Sequence, residues 1–209
     1  MTFEDKLCRM QKDVNSASAA YYAYVQFNNA LCDPEVKKAA DRAPSFWQTT
    51  RHSLQTTALI TLAGIFDSFE GKTYSMDWLF FECFKYIGEL ENVGKNCNMP
   101  FERGDIQKLK DRLKPATTIY KDKIKPIRSR VIAHSERLTE EEINEIFGNM
   151  KHSEWESVCS TLESVVTELK MAYTEGVKIG SIEYKSNIGE LMSANVDTIT
   201  SQLVSSKKI

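Results

Sequence analysis

Apolar side chains recur at every third or fourth position over long stretches of this chain, and this spacing constrains the fold more than any other feature. Positions three or four apart lie on one face of an α-helix, so each run predicts a helix that buries one stripe. The first stripe consists of Phe3, Leu7, Met10, Val14, Ala17, Tyr21, Tyr24, Asn28 and Leu31. Similar runs begin near Trp47, Trp78, Ile106 and Trp155. The spacing therefore predicts an all-α protein.

The four strongest predicted helices are long enough to form an antiparallel helical bundle, with extra short helices and connections at its ends. Composition supports a hydrophobic core, because 42% of the residues are apolar whereas only five Pro and nine Gly are available for turns. Apolar residues become sparse after Gly180. We therefore expect a helical domain over residues 1–180 and a mobile or loosely attached C-terminal tail over residues 181–209.

Local signals predict where several helices begin, end or bend. The pair Asp33-Pro34 is expected to end the first helix, because a residue before proline is disfavoured in the helical conformation. Ser75 is predicted to cap a later helix. Pro115 is expected to break the helix that follows, and Pro126 to kink or restart it, because proline donates no amide hydrogen.

Charge is unevenly distributed along the chain. The formal net charge is −2, yet the segment from Arg103 to Arg137 contains 11 basic and 4 acidic residues. Local charge and not net charge governs attraction to phosphate, so a nucleic acid would bind at this segment. The acidic remainder argues against non-specific binding by the whole protein.

Other sequence features concern the compartment and the cofactors. The N-terminal residues are charged and are followed by no apolar run of signal-peptide length, and the most apolar stretch, residues 56–66, is about half of what a membrane helix needs. The five cysteines are scattered, without a C-x-x-C pair or a histidine at zinc-ligand spacing. We expect a cytoplasmic protein with reduced thiols, no membrane association, no metal and no cofactor.

His134 is the most informative of the three histidines, because it continues the apolar stripe of residues 120–131. A lone histidine in such a position is most often a hydrogen-bonded core residue. Here, however, Arg128 and Arg130 lie one to two turns upstream. Arginine binds phosphate through a permanent charge and a planar fork, and histidine transfers protons near neutral pH. The segment is therefore a candidate site for phosphodiester cleavage, while the core-histidine interpretation stays open.

The segment from Ile127 to Glu136 reads Ile-Arg-Ser-Arg-Val-Ile-Ala-His-Ser-Glu. It resembles the motif of the HEPN superfamily, in which four to six residues separate an arginine from a histidine. It is most similar to the version found in AbiU-type abortive-infection proteins. The apolar helix that ends at Asp67 is also similar to a helix of that group, so the resemblance extends in helical order over much of the chain.

This resemblance implies a homodimeric helical bundle in which two copies of the motif face each other. It also implies a metal-independent endoribonuclease in a phage-defence or toxin–antitoxin setting, with RNA as its substrate and an antitoxin protein as a further candidate partner. Arg128 matches the arginine of the motif and His134 its histidine, which makes them the candidate catalytic residues. The residues expected to bind RNA are Arg130, Lys121, Lys123 and Lys125.

Two features keep an inactive alternative open. Ser129 stands where active members of the superfamily often carry Asn, Asp or His. On a regular helix Arg128 and His134 point about 120° apart, whereas Arg130 is the closer neighbour of His134 on one face. The alternative is a catalytically inactive helical module that dimerises or binds a partner. Asp67 is likewise either a solvated carboxylate at a helix end or part of a site.

Overall fold

The computed structural model describes residues 2–67, 74–93, 100–133, 151–181 and 185–205, and for residues 90–93 and 131–133 it describes the backbone alone. The helices in chain order are α1 (Phe3–Ala30), α2 (Pro34–Ala40), α3 (Pro44–Phe66), α4 (Met76–Val93), α5 (Arg103–Ile119), α6 (Lys125–Ala133), α7 (His152–Glu175) and α8 (Ile188–Ser205). A π-helical turn, Tyr120–Ile124, joins α5 to α6. These residues contain no β-strand, so the predicted all-α fold is confirmed. None of the helices described is long and apolar enough to cross a membrane.

The first of two compact units comprises residues 1–14 and 61–185. Helix α7 lies at its core and buries a stripe with the spacing seen in the sequence. The buried apolar residues of α7 are Trp155, Val158, Cys159, Leu162, Val165, Val166, Leu169 and Ala172. Helix α5 packs against α7, and α4 packs against α5. Removal of these apolar surfaces from water stabilises the unit by about 25 cal/mol per Å² buried.

An ion pair between Arg112 of α5 and the buried Glu168 of α7 joins the two helices. Arg112 Nη1 donates to both carboxylate oxygens of Glu168, at 3.2 and 3.1 Å, and Arg112 Nη2 donates to Ser164 Oγ at 3.0 Å. The Glu168 side chain is 2% exposed, whereas that of Arg112 is 41% exposed. Because each carboxylate oxygen accepts a hydrogen bond, the buried charge is compensated and the pair holds α5 on α7.

The second unit comprises residues 15–60 and 186–209. Here α2 packs against α8, and the two helices bury Val36 and Val196, among other residues. A Cβ atom at Gly189 would lie 3.3 Å from the Tyr22 ring, so glycine permits the close approach of α8 to α1. Helix α8 lies within the segment predicted to be a tail. The domain boundary at residue 180 and the loose attachment of residues 181–209 stay predictions.

Two local signals in the sequence correspond to helix caps. Asp33 follows the end of α1 and caps α2, because its Oδ1 accepts hydrogen bonds from the backbone N–H groups of Glu35 at 2.7 Å and Val36 at 3.2 Å. Ser75 Oγ accepts a hydrogen bond from the N–H of Trp78 at 3.3 Å and so caps α4, as predicted.

The predicted break at Pro115 is wrong, because α5 runs through it from Arg103 to Ile119. Pro115 donates no hydrogen bond to the carbonyl group of Asp111, four residues earlier. The helix persists since Leu113 and Ala116, on either side of the proline, are 5% and 1% exposed. Tertiary packing therefore outweighs the local preference of the sequence.

Candidate functional site

The helix irregularity predicted at Pro126 is confirmed, and it takes the form of the π-helical turn. The backbone N–H of Lys125 donates to the carbonyl of Tyr120, five residues earlier instead of four. Pro126 lacks an N–H group, and in a regular helix its ring would crowd the carbonyl of Asp122. A wider turn just before the proline relieves this clash, and such turns often occur at functional sites.

The π-helical turn determines which side chains enter the core and which line a cavity. The buried residues of this stretch are Tyr120, Ile124 and Ile127. Lys121, Lys125 and Arg128 lie on another face and line the cavity. Spacings of four and three residues keep these three cations on one side of the helix despite the irregular turn. The arginine of the HEPN-like motif therefore lies beside two lysines.

Asp67, directly after the end of α3, forms ion pairs with two of these cations. Lys125 Nζ donates to Asp67 Oδ1 at 2.8 Å, and Arg128 Nη1 lies 3.6 Å from Asp67 Oδ2. The Asp67 side chain is only 15% exposed, whereas those of Lys125 and Arg128 are 49% and 36% exposed. These contacts favour Asp67 as part of a site over the interpretation of a solvated carboxylate at a helix end.

Tyr120 lies beneath this cluster. Its ring stacks on that of Phe66, with the ring centroids 4.6 Å apart and the planes 15° from parallel. Its buried hydroxyl lies next to Asp67 without reaching ideal hydrogen-bond geometry. Burial raises the pKa of the Tyr120 phenol, and the negative charge of Asp67 raises it further. Tyr120 therefore stays protonated at neutral pH and supports the cluster as a neutral group.

A cavity of about 390 Å³ opens beside Asp67 and Arg128. This volume lies within the range of sites that hold small ligands or parts of larger ones. Its lining residues are Phe66, Asp67, Met76, Asp77, Leu113, Thr117, Lys121, Lys125 and Arg128. The mixture of apolar walls with three cations and two carboxylates suits an anionic ligand that also carries apolar surface.

The residues predicted to bind RNA do not all lie at the cavity. Lys121 and Lys125 line it. Lys123 instead donates to Glu154 at the start of α7, and this hydrogen bond holds the pKa of Glu154 below its usual value. Arg130 is exposed and is not among the residues that line the cavity. His134 lies outside the described residues, so its predicted role stays a prediction.

The ion pairs reduce the positive charge that the basic segment offers to a ligand. Arg112, Lys123 and Lys125 pair with Glu168, Glu154 and Asp67, three acids that lie outside the segment. Lys121 has no ion pair with a described residue. The number of basic residues in the sequence therefore overstates the positive charge that the segment offers to a ligand.

Sequence reasoning missed Asp77 and Thr117, which line the cavity from α4 and α5. Neither residue belongs to a motif, and only the packing of α4 on α5 brings them to the site. Within the described ranges, no group of three or more His, Cys, Asp or Glu side chains is placed to hold a metal ion.

Comparison with known proteins identifies the family. Neither the curated proteins nor the solved structures gave a match to this chain. The model of the HEPN_AbiU2 family, described as AbiU2, matches residues 3–187 and so spans all the helices from α1 to α7. This match confirms the resemblance that the segment around Arg128 indicated. The chain belongs to the AbiU2 family of HEPN proteins.

Proposed function

We propose that this HEPN protein is a metal-independent endoribonuclease that acts in phage defence or in a toxin–antitoxin setting. The observation that carries the proposal is the pairing of Arg128 and Lys125 with one largely buried carboxylate, Asp67, at the edge of a cavity. Two cations fixed at the edge of a cavity suit the two non-bridging oxygens of a phosphodiester, whose charge increases in the transition state.

Asp67 positions Arg128 without consuming its hydrogen-bond donors. The 3.6 Å separation between Arg128 Nη1 and Asp67 Oδ2 is longer than a hydrogen bond, and a guanidinium group carries five N–H donors. Lys125 makes the shorter contact with the carboxylate, at 2.8 Å. Arg128 is therefore available to bind phosphate oxygens, while Lys125 keeps Asp67 in place.

His134 supplies the proton transfer in this proposal. The ribose 2′-hydroxyl loses its proton to a base as its oxygen forms a bond to phosphorus, and the bond from phosphorus to the 5′-oxygen breaks. The 5′-oxygen takes up a proton, so the products are a 2′,3′-cyclic phosphate and a 5′-hydroxyl. An imidazole is suited to these proton transfers near neutral pH. In place of a metal ion, Arg128 and Lys125 would stabilise the negative charge that increases on the phosphate oxygens.

We propose that the active form is a homodimer with a two-fold axis near residues 126–136, as the HEPN resemblance implies. Such an interface is isologous, so each protomer presents the same segment to the other. Two motifs would then share one cleft, and Arg130 or His134 of either protomer would reach the same strand. An antitoxin protein that covers this cleft is the further partner.

The proposal is tested with purified protein and single-stranded RNA in excess EDTA, with the RNA ends identified after the reaction. We expect cleavage that leaves 2′,3′-cyclic phosphates, and a fall of about 100-fold to 10,000-fold in His134→Ala. His52→Ala, a change of the same residue type at an exposed position in the other unit, is the matched control and is expected to cleave normally.

The alternative of an inactive module is favoured by one observation, since Asp67 already partly neutralises Arg128 and Lys125. In that case the wild-type protein shows no cleavage of varied RNAs. His134→Ala then lowers the melting temperature or dissociates the dimer instead of changing a rate. That combination of results would show that the protein is a dimerisation or binding module and not a nuclease.

A further inference from the structure

Helices α4 and α5 lie side by side in opposite directions, and the cavity is at one end of the groove between them. At that end Asp77, near the start of α4, and Thr117, near the end of α5, both line the cavity. Farther along, Lys110 Nζ lies 5.8 Å from the centroid of the Phe80 ring. At the far end, a Cβ atom on Gly88 would lie 3.7 Å from Arg103 Nη2.

A row of cations follows the α5 side of this groove. Its members are Arg103, Lys110, Lys114 and Lys121. Spacings of seven, four and seven residues place them on one face, over about 27 Å of helix. Lys114 pairs with Asp111 at 2.7 Å, but these side chains are 73% and 50% exposed, so solvent weakens the pair. Asp77 is the acid that lines the cavity from the α4 side.

Phe81 lies on the α4 side of the same groove. It follows Asp77 by four residues and Phe80 by one, which places it at the solvent edge of the face that meets α5. Its side chain is 63% exposed, so the ring is accessible to a ligand. Proteins that bind single-stranded nucleic acids combine aromatic rings with basic side chains, because any base can stack on an aromatic ring.

We propose that the groove between α4 and α5 binds single-stranded RNA and leads it to Arg128. Phe81 stacks on one base, while Arg103, Lys110 and Lys121 contact phosphates at separate points along the strand. Duplex RNA is a poor ligand, because its bases are stacked on each other and are not free to meet the ring. The choice of RNA as ligand rests on the proposed function, but strand binding does not require cleavage.

Binding is measured by fluorescence anisotropy with a labelled 2′-O-methyl oligonucleotide in excess EDTA, since its blocked 2′-oxygen prevents cleavage. We expect Phe81→Ala to weaken binding about tenfold or more, and Phe81→Trp to retain it. The matched control is Phe46→Ala, because Phe46 is also 63% exposed but belongs to the other unit. Phe46→Ala is expected to bind as the wild type does.

The basic row is tested in the same assay. Lys110→Glu should weaken binding and lower the slope of log affinity against log salt by about one. The control Lys38→Glu changes the net charge by the same amount, and it is expected to leave RNA affinity unchanged. Equal affinities of Phe81→Ala and Phe46→Ala, or equal binding of duplex and single strand, would overturn the groove proposal. So would a Phe81→Ala variant that loses only dimerisation in sedimentation.

The two proposals fail separately. Strand binding that depends on Phe81, in a protein that does not cleave unmodified RNA, supports the groove and overturns the nuclease. Cleavage that depends on His134 but is unaffected by Phe81→Ala, with unchanged strand affinity, supports the nuclease and overturns the groove.

Discussion

Arg112 and Arg128 belong to the same unit, and each faces a carboxylate, but their surroundings differ. Arg112 makes three hydrogen bonds of 3.0 to 3.2 Å, two of them to Glu168, which is 2% exposed. Arg128 approaches Asp67 only to 3.6 Å, beside a cavity, and Asp67 is 15% exposed. The exposed fractions of the two arginines are nearly equal, at 41% and 36%.

The difference shows that exposure alone does not identify a functional arginine. Arg112 compensates a buried charge through hydrogen bonds from both of its terminal nitrogens, so its removal would leave Glu168 buried and unpaired. Asp67 keeps a second cation, Lys125, at 2.8 Å, so it stays compensated when Arg128 is engaged elsewhere. We infer that Arg112 serves stability and that Arg128 serves binding and catalysis.

Of the changes to these two arginines, Arg128→Ala has the larger expected effect, and it acts on cleavage. Removal of a donor to the transition-state phosphate should lower the single-turnover rate about 100-fold to 1,000-fold. Arg128→Lys keeps the charge but loses the planar fork, so we expect a smaller loss. The melting temperature should stay close to that of the wild type, because Lys125 still pairs with Asp67. A variant that cleaves normally but melts several degrees lower would reverse the roles assigned here.

A smaller effect, on stability, is expected for Arg112→Ala. The unpaired carboxylate of Glu168 should lower the free energy of unfolding by about 1–3 kcal/mol, which corresponds to a few degrees in melting temperature. The cleavage rate well below the melting temperature should not change. Replacement of Glu168 by Gln in the same chain should recover part of the loss, since a neutral amide is less costly to bury. An unchanged melting temperature combined with slower cleavage would contradict this assignment.

Much of the fold follows from local patterns in the sequence. The stripe from Trp155 to Ala172 is buried as its spacing predicts, and Asp33 and Ser75 act as helix caps. Pro126 indicated an irregular helix, although its π-helical form was not predicted. At Pro115 the same local rule failed, because the stability of that helix depends on packing and not on propensity.

The site was predictable only in part, because the motif indicated Arg128 and the basic segment indicated Lys121 and Lys125. Arg128 was recognised from its distance to His134 along the chain. The contact between Asp67 and Lys125 joins residues 58 positions apart, and nothing in either local segment indicates it. A large apolar residue such as Phe81 is expected in the core, so only its 63% exposure in the structure makes it a candidate for stacking on a base. Contacts between distant segments depend on tertiary packing, which periodicity does not specify.

The central claim is that Arg128, and not Arg112, binds a phosphodiester. It is tested most directly by side-chain NMR of isotope-labelled arginine, with the guanidinium signals assigned from Arg128→Lys and Arg112→Lys. The protein is titrated with a 2′-O-methyl oligonucleotide that it cannot cleave. We expect the Arg128 guanidinium signal to shift in proportion to occupancy while that of Arg112 stays fixed. A shift of Arg112 alone, or no shift of Arg128 at saturation, would contradict the claim.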